Sequence, residues 1–459
     1  MESRPQQPDH LEDETQNGGQ GDSYARHLGV WIVLLLFAGF YATLQMTGAR
    51  QVGSDQVKAG PQLQISARYA VGAYAFQKLG GEAMGKAGAE ALLKQIRDSA
   101  SSQADQVLMT PVIGELSGAD QAISHLDSLT DLPDPLRRDA DLFQTIYATG
   151  PDDLAAENRD ALISQHGWLG KLALSYGASG DDPLRREVMN AARLTFVSAV
   201  GVMGLIGMLG LAGLILLVLG LIRFSKGKLS LRYPQAPSFH NNLRLPFLEV
   251  MTLFMVVFGL LSFLTIFLPT WLRWLPFPLS LATILWPLAR GLTFHQLLEG
   301  LGWTKGTGII REAFWGTLGY IAGIPVVAVG FLITVGIMTL TGNTPMHPIA
   351  EQFQGAGWMR FLGLFLLACV AAPIIEETMF RGAFYHYLRG WRGPVFSGLL
   401  TGLIFAAIHP QGFAAIPVLA SLGAVLALIR EWRGSLIGSM VAHGLNNFVV
   451  LSMGVLMAG

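Results

Sequence analysis

The sequence predicts an all-α polytopic membrane protein of about nine transmembrane helices, with a mostly helical, water-facing insert between the first two. Three observations lead there. Of 459 residues, 51% are hydrophobic and only 14% charged, where a soluble domain carries nearer a quarter. The mean hydropathy is +0.43. The apolar residues are gathered into runs of about 20, the length at which a helix crosses a bilayer. The basic residues between those runs fall in alternate connections, the pattern that sets orientation in a membrane. A net charge of -1 offers no basic surface for nucleic acid. The single cysteine, Cys369, lies inside an apolar run and excludes an internal disulfide framework.

Residues 1–27 are polar and Gly/Gln-rich and read as a disordered cytoplasmic tail. The first apolar run, LGVWIVLLLFAGFYATLQM from Leu28 to Met46, reads as a membrane anchor over 28–47. Its lead is too long and too acidic for a cleaved signal peptide. From 48 to 192 the chain is rich in Ala, Asp, Gln and Ser, with helical periodicity in AEALLKQIRDSA and PLRREVMNAARL. No segment there spans a membrane and no motif carries chemistry, so it reads as an extracytoplasmic structural or partner-docking insert. A second membrane helix and a basic cytoplasmic loop occupy 193–245, and the remaining domain 246–459. Apolar runs lie near 194–222, 247–268, 271–289, 313–341, 360–388, 394–410, 412–429 and 434–457, the 271–289 run being interrupted by prolines.

The short connections assign sides. The loop RFSKGKLSLRYPQAPSFHNNLR is strongly basic, the connection before Phe314 carries Arg290, Lys305 and Arg311, and the later turns carry Arg389 with Arg392 and Arg430 with Arg433. The loop GNTPMHPIAEQFQGAGW and the turn near Pro410 to Gly412 carry no Lys or Arg. The alternation puts the N-terminus inside, and the insert and the C-terminus outside. Without organelle signals, the expected location is a bacterial plasma membrane.

Three patterns place ionisable groups inside apolar sequence: Glu376-Glu377-Thr-Met-Phe-Arg381, Phe405-Ala-Ala-Ile-His409 and His443-Gly-Leu-Asn-Asn447. Measured from the basic turns, straight helices carry Glu376 roughly 20 Å, His409 roughly 24 Å, His443 about 15 Å and Asn447 about 21 Å into the membrane. Residues four apart share a helix face, which pairs Glu377 with Arg381, Phe405 with His409, and His443 with Asn447. Glu376 points about 100° away from Glu377, so one glutamate can pair with Arg381 while the other faces a different cavity. Two buried carboxylates without compensation are very costly, and intramembrane ionisable residues mark function by default. A structural ion pair, a helix-end histidine and interhelical hydrogen-bond glue are the plain alternatives.

A carboxylate partly withdrawn from water can act as a general base toward water. A histidine at its depth can orient that water or carry its proton. A second histidine and an amide can donate to a developing oxyanion. No serine or cysteine stands at a matching position, so the simplest reaction is attack of activated water on an amide carbonyl. Two histidines and a glutamate are also zinc ligand types, although HExxH is absent; the oxyanion reading uses the same side chains without metal. Elsewhere, GLLTG (Gly398 to Gly402) and GSLIG (Gly434 to Gly438) have the small-residue spacing of close helix packing. GWTKGTG lacks P-loop spacing, Phe405 reads as packing, and His386 as interfacial.

EETMFRG, FAAIH and HGLNN, in this order on successive apolar runs, resemble the CPBP family of intramembrane proteases (CAAX-processing and bacteriocin-processing, also called Abi), whose patterns are EExxxR, FxxxH and HxxxN or HxxxD. The resemblance covers roughly 250 to 459. It implies Glu376 as the water-activating base, His409 as its partner, His443 and Asn447 as the oxyanion site, and Glu377 with Arg381 as the supporting ion pair. It implies an endopeptidase acting on a membrane-associated protein or peptide, with no cofactor required; zinc, if present, would fall to Glu376, His409 and His443. A non-catalytic scaffold or bacteriocin-immunity protein of the same fold is the alternative. A transporter would repeat its charged pattern in both halves, and no second copy is present.

Overall fold

In a bilayer, backbone N–H and C=O groups have only one another as partners, so apolar runs become helices. The computed structural model describes residues 25–41, 43, 61–100, 102–233, 244–264, 267, 269, 272, 275–341, 358–409 and 411–458, and every regular element among them is helical. The helices are α1 (Ala25–Tyr41), α2 (Pro61–Gln77), α3 (Glu82–Ser99), α4 (Gln103–Leu108), α5 (Thr110–Ser117), α6 (Ala119–Asp127), α7 (Asp134–Ala148), α8 (Ala156–His166) and α9 (Trp168–Leu174). They continue with α10 (Pro183–Ser225), α11 (Leu245–Leu264), α12 (Pro278–Ala289), α13 (Phe294–Leu301), α14 (Ile309–Thr341), α15 (Phe361–Leu388), α16 (Pro394–Ala407), α17 (Ile416–Arg433) and α18 (Leu436–Ala458).

Among the described residues, five helical segments are long and apolar enough to cross a membrane: α10, α11, α14, α15 and the stretch Phe413–Arg433 that contains α17. Shorter apolar helices lie at Ala25–Tyr41, Pro278–Ala289, Pro394–Ala407 and Leu436–Ser452. The expected tail over 1–24, the loop residues 234–243, the loop 342–357 and Pro410 lie outside the described residues. The described part of the anchor helix runs Ala25–Tyr41. PLRREVMNAARL and the apolar run after it form one 43-residue helix to Ser225. No proline or glycine interrupts MNAARLTFVSAV, so the amphipathic pattern passes into the apolar one without a stop. From Pro276 to Ala289 the chain forms short α and 3-10 segments, Pro276–Ser280, Leu281–Leu285 and Trp286–Ala289, where Pro276, Pro278 and Pro287 each lack a backbone donor.

The chain divides into two compact units. One contains α2 to α9 and the start of α10. Its helices bury their own core, with Val71, Ile96, Val107, Leu108, Val112, Phe143 and Leu169 fully covered. None of α2 to α9 is long and apolar enough to cross a membrane. Ser102 and Asp105 form a reciprocal capping box at the start of α4, and Arg185 grips Glu115 through two bonds of 2.8 and 2.7 Å.

The other unit holds α1, α10 from Leu209, α11 to α17 and α18 as far as Val449. Its helices approach through glycine. A Cβ on Gly402 of α16 would collide with the Ala420 carbonyl of α17, and one on Gly423 would lie 2.5 Å from the Gly402 Cα. Gly316 of α14 rests on the Gly438 backbone of α18, and Gly323 and Gly330 of α14 meet α17 side chains. The two small-residue spacings thus mark close backbone contact, the expected basis of helix association in lipid.

α15 is not a uniform α-helix. π-helical turns at Leu367–Ala371 and Thr378–Phe384 bracket the α-helical segment Ala372–Glu377. In the first, the Ala372 N–H donates to the Leu367 carbonyl. The next bond of that register would require an N–H from Pro373, which has none. The Ala368 carbonyl is instead satisfied by the Asn447 side chain, 2.9 Å away.

Gly402→Ala tests the α16–α17 contact. The added methyl must separate two backbones, and we expect a loss of about 1–3 kcal/mol, read as a lowered melting temperature in detergent; an unchanged melting temperature would show that the contact yields freely.

Candidate active site

The helix geometry of α15 points Glu376 and Glu377 in different directions, and their surroundings differ accordingly. Glu377 is fully buried. Its Oε1 accepts from Arg381 Nη1 at 2.8 Å and from His443 Nδ1 at 3.0 Å. Arg381 is equally buried; its Nη2 donates to the Gly423 carbonyl at 2.9 Å. Its guanidinium carbon stands 4.7 Å from the Phe405 ring centroid and 5.8 Å from that of Phe380, a cation–π arrangement that gains strength without water. The ion pair therefore ties α15 to α17 and α18 and lays its charge on α16.

Glu376 keeps contact with the outside: its side chain is 16% exposed and that of His409 is 18%, against 0% for both Glu377 and Arg381. Glu376 Oε2 lies 3.7 Å from His409 Nε2 and 3.6 Å from His443 Nε2. These separations exceed a direct hydrogen bond and suit a bridging polar atom. Both imidazoles are oriented by their other nitrogen. His409 Nδ1 donates to the Phe405 carbonyl at 2.5 Å, and His443 Nδ1 is held by Glu377. Each histidine thus turns Nε2 toward the same carboxylate oxygen, a tautomer choice fixed by the partner of the opposite nitrogen.

Asn447 lies one turn beyond His443 on α18. Its Nδ2 donates to Ala368, while its Oδ1 accepts from Asn446 Nδ2 at 3.3 Å. Asn446 Oδ1 in turn accepts from the Tyr320 hydroxyl of α14 at 3.3 Å. This relay orients the Asn447 amide and leaves one of its two N–H bonds uncommitted to Ala368. The structure brings Glu376, Glu377, Arg381, His409 and His443 into one cluster, with Asn447 at its edge. Phe405, expected as packing, also supplies the carbonyl that orients His409 and a face for Arg381. His386, expected at the interface, is instead buried, with Nδ1 2.7 Å from the Tyr233 hydroxyl. Sequence reasoning did not find Tyr320; a tyrosine in an apolar helix carries no signal of its partner 126 residues away. Asn446 was in view within HGLNN but had no role.

Among the described residues, no group of three or more His, Cys, Asp and Glu side chains is arranged to hold a metal ion.

Residues 358–449 match the family model of the Rce1-like type II CAAX prenyl endopeptidases. This stretch takes in α15 to α17 and reaches into α18, contains all three motifs, and is consistent with the CAAX-protease family. No curated protein and no solved structure matches the chain.

Arg381→Ala strands the Glu377 carboxylate in a fully buried position. We expect a loss of about 3–5 kcal/mol, measured as a lower melting temperature or failure to purify in detergent. The paired change Glu377→Leu with Arg381→Met should recover most of it, since no charge is then left alone; equal destabilisation of single and double variants would exclude an ion-pair role.

Proposed function

We propose that the protein is an intramembrane, glutamate-dependent endopeptidase acting on a membrane-associated protein or peptide. The single observation that supports this reading most is the division of labour between adjacent glutamates. Glu377 is consumed by Arg381 and His443, whereas Glu376 remains accessible between two imidazole Nε2 atoms at 3.7 and 3.6 Å.

In this mechanism a water molecule hydrogen-bonds to both Glu376 and His409 from one side of the pair. Glu376 removes its proton as the water oxygen bonds to the scissile carbonyl carbon, and His409 holds the water in line. The carbonyl oxygen becomes an oxyanion, stabilised by His443 and the remaining Asn447 N–H. Glu377 accepts from Nδ1 of His443 and holds the ring in place. As the tetrahedral intermediate collapses, the C–N bond breaks and the proton held by Glu376 passes to the leaving amine. The π turns on either side of Ala372–Glu377 set the angle at which Glu376 leaves the helix, and such turns recur at functional sites. The reading requires no metal.

The test compares membrane-proteome termini in cells carrying wild type or Glu376→Ala at equal abundance. We expect new termini only with wild type, and a loss of at least ~100-fold in cleavage of the purified substrate by the variant. Chelator should leave wild-type cleavage unchanged. Identical termini in both cell lines, with a phenotype that survives the substitution, would move the assignment to a non-catalytic scaffold or immunity protein.

A further inference from the structure

A second polar cluster lies at the helix ends, where the spans α15, α11 and Phe413–Arg433 terminate at Leu388, Leu245 and Arg433. Its centre is Arg430, which is fully buried. Its Nε, Nη1 and Nη2 all lack a hydrogen-bond partner. The guanidinium lies against Gly302, whose φ of +80° and missing side chain leave room for it, and 4.9 Å from the Tyr233 ring centroid. The carboxylate next in sequence is already taken. Glu431 accepts from Arg389 Nε at 3.0 Å, from Arg389 Nη2 at 2.9 Å and from the Tyr385 hydroxyl at 2.8 Å. That carboxylate serves Arg389, and among the described residues Arg430 has no hydrogen-bonded anion.

More positive charge stands nearby. Arg244 packs against Gly390. Burial presses Arg244 below the usual guanidinium range, Tyr233 opposes this, and Arg389 adds to it. The Arg389 guanidinium lies 5.5 Å from the Tyr233 ring centroid, so that ring has two guanidinium neighbours. Tyr233 is held by its backbone N–H, 3.0 Å from the Glu431 carbonyl, and its hydroxyl meets His386 Nδ1. A guanidinium carries five N–H donors, and leaving a buried one unpaired costs several kcal/mol, more than one cation–π contact offsets.

We propose that Arg430, with Arg244 and Tyr233, forms a phosphate-binding site at the membrane boundary. The ligand is a phosphate group, carried by an anionic lipid whose headgroup lies at the depth where these helices end, or free in solution. Two phosphate oxygens accept from the guanidinium fork, whose donors are uncommitted, while the Tyr233 ring keeps its contact with the guanidinium. Basic pockets between membrane helices near their ends recognise lipid phosphates in this way. The inference stands apart from the catalytic proposal, because its readout is binding and stability.

The experiment measures the melting temperature of the full chain, purified in detergent, with added phosphatidylglycerol, a phosphate-free galactosyl diacylglycerol, or inorganic phosphate. Phosphatidylglycerol should raise the wild-type value by about 3 °C or more, and the glycolipid should not. The shift should vanish in Arg430→Met and persist in Arg392→Gln, which removes one charge from an exposed position. A shift with inorganic phosphate, also lost in Arg430→Met, would sustain the site with free phosphate as its ligand. Equal shifts in wild type and Arg430→Met, equal responses to both lipids, or no wild-type shift would overturn it. Should Arg430→Met not fold, Arg430→Lys keeps the charge without the fork and should bind phosphatidylglycerol at least tenfold more weakly than wild type; equal binding would also overturn the proposal.

Discussion

The ion pair between Glu377 and Arg381 is the constraint on which the cluster of α15 to α18 depends. Both side chains are removed from solvent, where an unpaired charge is several kcal/mol unfavourable, so neither position is stable without the other. Their remaining bonds reach outward to the Gly423 carbonyl and to His443 Nδ1. Three of the four helices are thereby held in register by one salt bridge, and the fourth offers the Phe405 ring to the same guanidinium. With His443 fixed through Nδ1 and His409 through the Phe405 carbonyl, both Nε2 atoms converge on Glu376. The accessible carboxylate is faced by one covered imidazole, His443, and one partly exposed one, His409.

Close helix approach is what makes such short polar contacts attainable in an apolar bundle. Gly402 and Gly423 remove the side chains that would otherwise hold α16 and α17 apart, and Arg381 reaches the Gly423 carbonyl at that crossing. Gly444, one residue after His443, sits so close to the Cys369 carbonyl that a Cβ would lie 2.6 Å from it. That approach brings Asn447 within 2.9 Å of the Ala368 carbonyl, the acceptor that Pro373 leaves without its donor. Packing, backbone irregularity and polar placement are here one arrangement. The same logic underlies the boundary cluster, where Gly302 makes room for Arg430 and Gly390 for Arg244.

Much of this was legible in the chain. The apolar runs announced helices because a bilayer admits little else, and among the described residues five helices are long and apolar enough to cross one. The i, i+4 spacing of Glu377 and Arg381 foretold a shared face, and the depths counted from the basic turns foretold that His409 and His443 would come near the glutamates. Less legible were features without a periodic signature. The join between PLRREVMNAARL and the following apolar run was invisible because a helix can change its environment without changing its backbone. The burial of His386 follows from Tyr233 and Phe247, residues 153 and 139 positions away in sequence.

What the sequence by itself determined is the class of fold and the identity of the ionisable residues, since both follow from local rules: hydropathy over 20 residues, helical periodicity and the cost of charge in lipid. What only the tertiary structure decided is which glutamate is sealed and which is reachable, which nitrogen of each histidine is free, and that Arg430 is buried without a partner while Arg389 takes the carboxylate beside it. Those outcomes depend on π turns, on glycine contacts between helices and on competition among several donors for one acceptor. Each is a property of three-dimensional neighbours, and no spacing along the chain encodes it.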